Sequence, residues 1–319
     1  MTHGLLGLAI GMARPRDGGP ENPLNPTPTD TDRAVVLGAL VAAELPDLDV
    51  FSGLLFGGGP LAEYVYHRGL THALLFSPVI AVVAALLVWP FFRRARLLTV
   101  TAWALLSAIA HMLNDWFTGW GTRLLLPFSD ARLGLDWVPI IDLLYTLPLL
   151  LAVIMAARRP LQRRRWALGA LAYLVIYSVG YRGLSHTLVQ QAVREAYQGQ
   201  PVVKMRVSPS LFNPLAWSFT VDLGDRYEVG QTTVFGPVKP GRTLVKQPED
   251  TVIRAVREME ELKPFFDQFK YPLITYEVVP DGYRVSLGDV RYQMRGAGMQ
   301  YLVHISTDLK LTAFLSGGH

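Results

Sequence analysis

The 319-residue chain has no cysteine. Disulfide frameworks, thiolate metal sites and cysteine nucleophiles are therefore excluded. Lysine is missing from the first 203 positions, the first being Lys204. No Gly-rich phosphate loop ends in Lys-Ser/Thr, and neither Gly-x-Ser-x-Gly nor His-Glu-x-x-His occurs. P-loop ATPase, serine hydrolase and zincin chemistries lack support. Charge is scarce too: 18% of residues are charged against 50% hydrophobic, with a mean hydropathy of +0.26. That balance excludes disorder as the main state.

The scarcity is uneven. Residues 1–186 hold 15 Arg and 12 Asp+Glu, whereas the shorter 187–319 holds 15 Lys+Arg and 14 Asp+Glu. The pattern predicts two domains: a helical transmembrane domain over 1–186 and an extracytoplasmic α+β domain over 187–319. The fold class is mainly α, a polytopic helical membrane domain with a C-terminal soluble α+β domain.

Residues 73–92 carry no charge over 20 positions, enough for a helix to cross a hydrocarbon core of about 30 Å. Residues 97–114 form a second span, and 137–157 a third with Asp142 as its only charge, one turn inside. Residues 166–181 form a short fourth. The apolar stretches 4–13 and 34–45 read as a helical hairpin, with a loop from Gly18 to Pro28 rich in Gly, Pro and Asn. One set of loops carries 11 Arg and the alternate set only Arg68, Arg123 and Arg132. The bias places the first set in the cytoplasm and the C-terminal domain outside, in a bacterial or archaeal inner membrane.

From about 187 the pattern changes to β-rich runs at 202–207, 217–221, 276–279, 283–287 and 301–305. Asp250 to Phe269 predicts one amphipathic helix.

Ionisable groups inside membrane segments cost roughly 2.5–3.5 kcal/mol each on insertion scales, so they need a partner or a task. His111 and Asp115 stand at i and i+4 on one helix face. Threading the chain brings these two, with His3, Asp47, Asp49, His67, His72 and Asp142, to the outer ends of their segments. Imidazole and carboxylate together suit zinc, manganese or iron(II). Two metals about 3.5–4 Å apart can clamp an in-line displacement. Each motif alone also has an ordinary explanation: an interhelical hydrogen bond for His-x-x-x-Asp, a helix end for Leu-Pro-Asp. A proton or ion path would use similar residues. Arg68 and Arg123 are the outer arginines nearest the cluster, able to hold an anionic substrate group or to snorkel to headgroups. Thr71, Asn114, Thr118 and Thr122 are candidate donors orienting the ligands. The Arg-rich loop 158–165 reads as topology, not as a nucleic-acid patch.

Four motifs, Met1-Thr2-His3-Gly4-Leu5-Leu6-Gly7, Glu44-Leu45-Pro46-Asp47-Leu48-Asp49, His67-Arg68-Gly69-Leu70-Thr71-His72 and His111 to Asp115 with Thr118-Gly119, resemble the YdjM-type membrane-bound metal-dependent hydrolases over residues 1–150. Ser208 to Pro214 with Trp217 is similar to the tail of longer members. The resemblance implies an inner-membrane metal-dependent hydrolase. More distantly, the set resembles the ligands of zinc-dependent phospholipases C. By that resemblance His111 and Asp115 are ligands, Asp47 or Asp49 bridges metals or serves as base, and His67 or His72 completes a site. A second His-x-x-x-Glu is absent, and Asp142 is the candidate to take its place.

The expectation is hydrolysis of a phosphoester on a membrane lipid or lipid-linked substrate. Asp47 and Asp142 are the candidate catalytic groups and Arg68 and Arg123 hold the substrate. His3, Asp47, Asp49, His67, His72, His111 and Asp115 bind divalent metal, two ions, with zinc first and manganese or iron as alternatives. The rivals are a non-catalytic scaffold stapled by metal and an ion-coupled transporter. Against transport, the cytoplasmic halves of 73–92, 97–114 and 137–157 hold no charge.

Overall fold

A computed structural model describes residues 2–16, 28–57, 59–211, 213–293 and 300–316. The expected loop from Gly18 to Pro28 lies outside the described residues, apart from Pro28 itself. The chain forms two compact units: residues 1–52 with 66–184, and 53–65 with 185–319.

The first unit is helical. Helix α1 (Thr2–Ala13) packs on α2 (Asp30–Glu44) through small residues. A Cβ on Gly7 would stand 2.5 Å from the Ala39 carbonyl oxygen, and one on Gly11 2.7 Å from the Val36 Cα. Glycine there is what lets two membrane-type helices approach closely. Thr29 starts α2 with a capping box: its hydroxyl accepts from Asp32 N–H and its own N–H donates to the Asp32 carboxylate. Helix α3 (Ser77–Val88) and α4 (Leu97–Phe117) follow. On α4 one face is buried at Val100, Ala104, Ser107, Ala108, His111 and Asp115, a helical period that holds three polar residues inward. Ser107 Oγ donates to the Ala39 carbonyl at 2.6 Å and ties α4 to α2. Large apolar side chains such as Val79, Leu86, Leu87 and Leu98 face outward, the reverse of a water-soluble helix and the arrangement lipid requires.

Among the described residues, three helical stretches are long and apolar enough to cross a membrane: Leu74–Phe91, Leu97–Phe117 and Pro160–Ala196. The expected span 137–157 is corrected. Its helix, α5, runs only from Leu143 to Arg158, 16 residues. Asp142 is its N-cap rather than a residue one turn inside, accepting from the N–H groups of Leu144 and Tyr145. Trp137 and Val138 instead donate backbone N–H groups to the Phe117 carbonyl. The expected short span 166–181 is longer than foreseen: α6 (Arg163–Val175), a π-helix over Ile176–Gly183 and α7 (Leu184–Ala196) follow without a break.

The second unit holds two four-stranded antiparallel meanders. The first is β1 (Lys204–Pro209), β2 (Ala216–Asp222), β3 (Arg226–Thr233) and β4 (Lys239–Val245), and the second β5 (Pro272–Val279), β6 (Gly282–Asp289), β7 (Gln300–Ser306) and β8 (Leu311–Ser316). Alternation buries Trp217, Phe219 and Val221 on β2, and these pack on Val189 and Val193 of α7. The expected helix over 250–269 is broken into α8 (Thr251–Glu258) and α9 (Lys263–Gln268), with Met259 extended between them. Pro264 has no N–H to donate and would clash with the carbonyl one turn back, which disfavours one continuous helix.

Candidate metal centre

Four donors from three chain segments converge. Helix α4 supplies His111 and Asp115, the turn after α2 supplies Asp47, and the turn before α3 supplies His72. One ligand atom from each lies within 4.8 Å of the others. His72 Nε2 is 3.4 Å from Asp47 Oδ1 and 3.3 Å from Asp115 Oδ2. His111 Nε2 is 3.6 and 3.7 Å from the same two oxygens. Asp115, His72 and His111 are at most 1% exposed.

The tautomers are set from behind. His111 Nδ1 lies 2.7 Å from the Ala43 carbonyl, which only accepts, so Nδ1 carries the proton and the neutral ring turns the Nε2 lone pair inward. His72 Nδ1 lies 3.1 Å from Asp49 Oδ2, which orients that ring in the same way. Both Nε2 atoms and Asp115 Oδ2 have no hydrogen-bond partner among the described residues. Buried polar atoms left in this state are costly, and their convergence fits a cation.

Asp49 is not one of the four. Its Oδ1 is 2.7 Å from His67 Nδ1, and its Oδ2 accepts from Thr71 Oγ1 at 2.7 Å and from the Arg68 N–H at 3.1 Å. With both oxygens occupied, it organises the His67–His72 turn. That turn needs Gly69, whose Cβ would fall 2.8 Å from the Tyr66 carbonyl oxygen, and it holds Arg68 at a φ of +56°. The Arg68 guanidinium reaches Asp115 Oδ1 at 2.9 Å and donates to Thr118 Oγ1 at 2.9 Å. His3, at the start of α1, places Nε2 3.3 Å from Asp115 Oδ1, with its ring 3.9 Å from that of His111.

Burial raises the Asp47 carboxyl, but the close approach of the His72 imidazole and the fields of His111 and His3 outweigh it and hold it below the ordinary range. Burial likewise opposes ionisation of Asp49, and His67, His72 and Thr71 hold it well down. Burial lowers His72, yet the carboxylates of Asp115, Asp47 and Asp49 push it up to about 10.

A cavity of about 460 Å³ opens beside the cluster. His3, Asp47, His67, Arg68 and Asp115 belong to its polar part, and Val50 with the 138–141 turn forms its apolar part. Asp47, with its side chain 35% exposed, is the accessible member of the four. Asp142 lines the cavity but is not brought into the cluster: it caps α5 and accepts from Tyr177 Oη at 2.8 Å. Arg123 does not line the cavity; its N–H donates to the Arg68 carbonyl at 3.2 Å. Thr118 holds Arg68, Asn114 accepts from Tyr145 Oη at 2.5 Å, and Thr71 binds Asp49. Sequence reasoning missed Tyr145 and Tyr177. The tyrosine spacing 173, 177, 181 on one helix face was the available signal.

Residues 1–189 match the family described as the YdjM inner membrane protein. The uncharacterized protein YfhP of Bacillus subtilis is 24% identical over 330 aligned positions, covering 99% of this chain and 94% of that protein. The inner membrane protein YbcI of Escherichia coli is 32% identical over 108 positions, covering 32% of this chain and 59% of that protein. No solved structure matches the chain.

Proposed function

This chain belongs to the YdjM inner membrane protein family, and from that premise we propose that it is a membrane-embedded metal-dependent hydrolase acting on a phosphoester of a lipid or lipid-linked substrate. The observation that carries the reading is the pair of imidazoles held from behind at Nδ1 with their Nε2 atoms turned toward Asp115 and Asp47. A tetrahedral zinc site with bonds of about 2.0–2.1 Å has donor-to-donor edges of about 3.4 Å. The separations of 3.3 and 3.7 Å from the His72 and His111 Nε2 atoms to Asp115 Oδ2 are near that size, which supports a small divalent cation such as zinc.

His72, His111 and Asp115 are the buried holders in this reading, and His3 with Asp115 Oδ1 is where a second ion would draw its donors. A bound divalent metal supplies Lewis acidity and activates water near neutral pH. Asp47, on the cavity side, takes the proton of the attacking water on its Oδ1. Arg68 balances the negative charge of Asp115 and fixes its orientation, a different task from the substrate clamp expected of it. The apolar side of the cavity excludes bulk water and accommodates the hydrocarbon of a lipid. The arginine bias supports a multi-pass topology with this end on the outer side and residues 187–319 outside.

A metal staple is the second reading, because four protein donors can close a tetrahedral site. The two part on Asp47: a staple needs it as a ligand, a catalyst as a base. The direct test is release of headgroup or phosphate from phosphatidylglycerol, phosphatidylethanolamine and phosphatidic acid by zinc-loaded full-length protein in nanodiscs. Turnover that stops on chelation supports the hydrolase. Zinc-loaded protein with no turnover on any lipid phosphoester contradicts it.

A further inference from the structure

Hydrogen bonds hold the arginine-rich ends of the first unit's helices level with one another. At the start of α6, Arg163 Nη2 and Arg164 Nε donate to the Arg14 and Ala13 carbonyls at the end of α1, each at 3.2 Å. Arg14 meets Asp32 at the start of α2 at 2.7 Å, and the Arg96 N–H before α4 donates to Thr31 Oγ1 at 3.3 Å. Arg158 closes α5 one short turn before α6. The exposed Arg94, Arg96, Arg158 and Arg159 mark this level as one membrane boundary. From it a helix rises about 1.5 Å per residue. The 12 residues of α1 reach about 18 Å and the 16 of α5 about 24 Å. On α4, His111 and Asp115 stand about 21 and 27 Å beyond Leu97. A hydrocarbon core is about 30 Å thick, so the metal centre and its cavity lie roughly 3–12 Å inside the opposite boundary, not on it.

The surface beside the cavity agrees. Val50, Ile140 and Ile141 line the cavity and are 48%, 62% and 51% exposed. Every exposed residue from Ile140 to Ala157 is apolar, and the mouth continues in sequence into the outward residues Leu144, Leu147 and Leu151 of α5. The exposed residues of the 46–52 turn, Leu48, Val50 and Phe51, are apolar as well. A rim of this kind is stable against hydrocarbon and costly against water.

We propose that the cavity of the metal centre opens sideways into the hydrocarbon layer between Val50 and Ile140–Ile141, and that a lipid of the surrounding leaflet enters there head first, its acyl chain lying along Leu144, Leu147 and Leu151. The occupant is a lipid because the mouth sits below headgroup depth and the apolar track leads from it toward the middle of the membrane. A water-soluble phosphoester would have to cross hydrocarbon to reach the same donors. That the lipid is a substrate rests on the hydrolase reading; the route rests on the geometry alone.

The chain has no cysteine, so Val50→Cys and Ile140→Cys each offer one site for a nitroxide label on the full chain. In phosphatidylglycerol and phosphatidylethanolamine vesicles, paramagnetic resonance compares collisions with oxygen, concentrated in hydrocarbon, and with a nickel chelate, confined to water. Both labels are expected about 6 Å inside the hydrocarbon boundary, with Leu147→Cys deeper and Arg94→Cys in water as references. Either label at or outside that boundary overturns the proposal. Phosphatidylglycerol with a diazirine on its acyl chain should crosslink more to residues 140–151 than to the outward Val79 and Leu86 of α3; equal yields overturn the proposal too. Neither readout uses turnover. Labels in hydrocarbon without hydrolysis reject the hydrolase alone, and labels in water with lipid hydrolysis intact reject the sideways mouth alone.

Discussion

At one end of α1 and α2 a buried carboxylate has every oxygen used, and at the other end one does not. Asp32, 2% exposed, accepts from Arg14 and twice from Thr29. Asp115, 1% exposed, pairs through Oδ1 with Arg68, but its Oδ2 faces two imidazole nitrogens without a hydrogen bond. Both acids sit among membrane-type helices and both are paired with arginine. The difference lies in what remains after pairing. A buried group with all its valences used holds the fold together, whereas a group left with an inward-facing lone pair beside two others is a place for a cation.

The sharpest way to break this contrast is Asp47→Asn. The account expects metal retained on His72, His111 and Asp115 and hydrolysis reduced about 10²- to 10⁴-fold, the range of a lost general base. Loss of the metal itself would favour the staple. Asp32→Ala should do the opposite: leave metal content unchanged and destabilise the protein by about 3–5 kcal/mol, because the buried Arg14–Asp32 ion pair is broken. Denaturant unfolding in detergent measures it. Asp49→Asn keeps the four donors but weakens the orientation of His72, and should lower metal affinity about 10- to 100-fold. A change confined to turnover would show that Asp49 acts on the reaction instead.

Taken over one pH unit, the smallest effect is the pH dependence. His72, pushed up to about 10 by its carboxylate neighbours, carries a proton at pH 7 in the metal-free protein. A metal must displace that proton, so apparent affinity should rise up to about tenfold per pH unit until pH approaches 10. Calorimetry in two buffers of different ionisation enthalpy should show about one proton released from His72 at pH 7.

Much of the centre was legible because helix geometry alone places His111 and Asp115 on one face, and the Pro-Asp and Gly-Leu-Thr-His turns sit at helix ends. What was not legible is which oxygens are already occupied. Asp47 and Asp49 are two residues apart and equivalent on paper, yet backbone and side-chain donors occupy Asp49 and leave Asp47 beside the cavity. Asp142 was placed inside a span because apolar residues 137–141 extend the hydrophobic run; their backbone bonds to Phe117 and the Asp142 cap start the helix later. In the second unit, β4 escaped notice because Lys239-Pro240-Gly241-Arg242 is the exposed sequence of an edge strand. The break near Met259 was readable from Pro264.

The central claim is that His72, His111 and Asp115 hold a metal with Asp47 beside it. Elemental mass spectrometry of detergent-purified protein tests it most directly, comparing wild type with a His111→Ala/Asp115→Ala variant of equal helicity. The account predicts at least one zinc per wild-type chain and none in the variant. Wild-type protein that stays metal-free after incubation with zinc, manganese and iron in turn would contradict it.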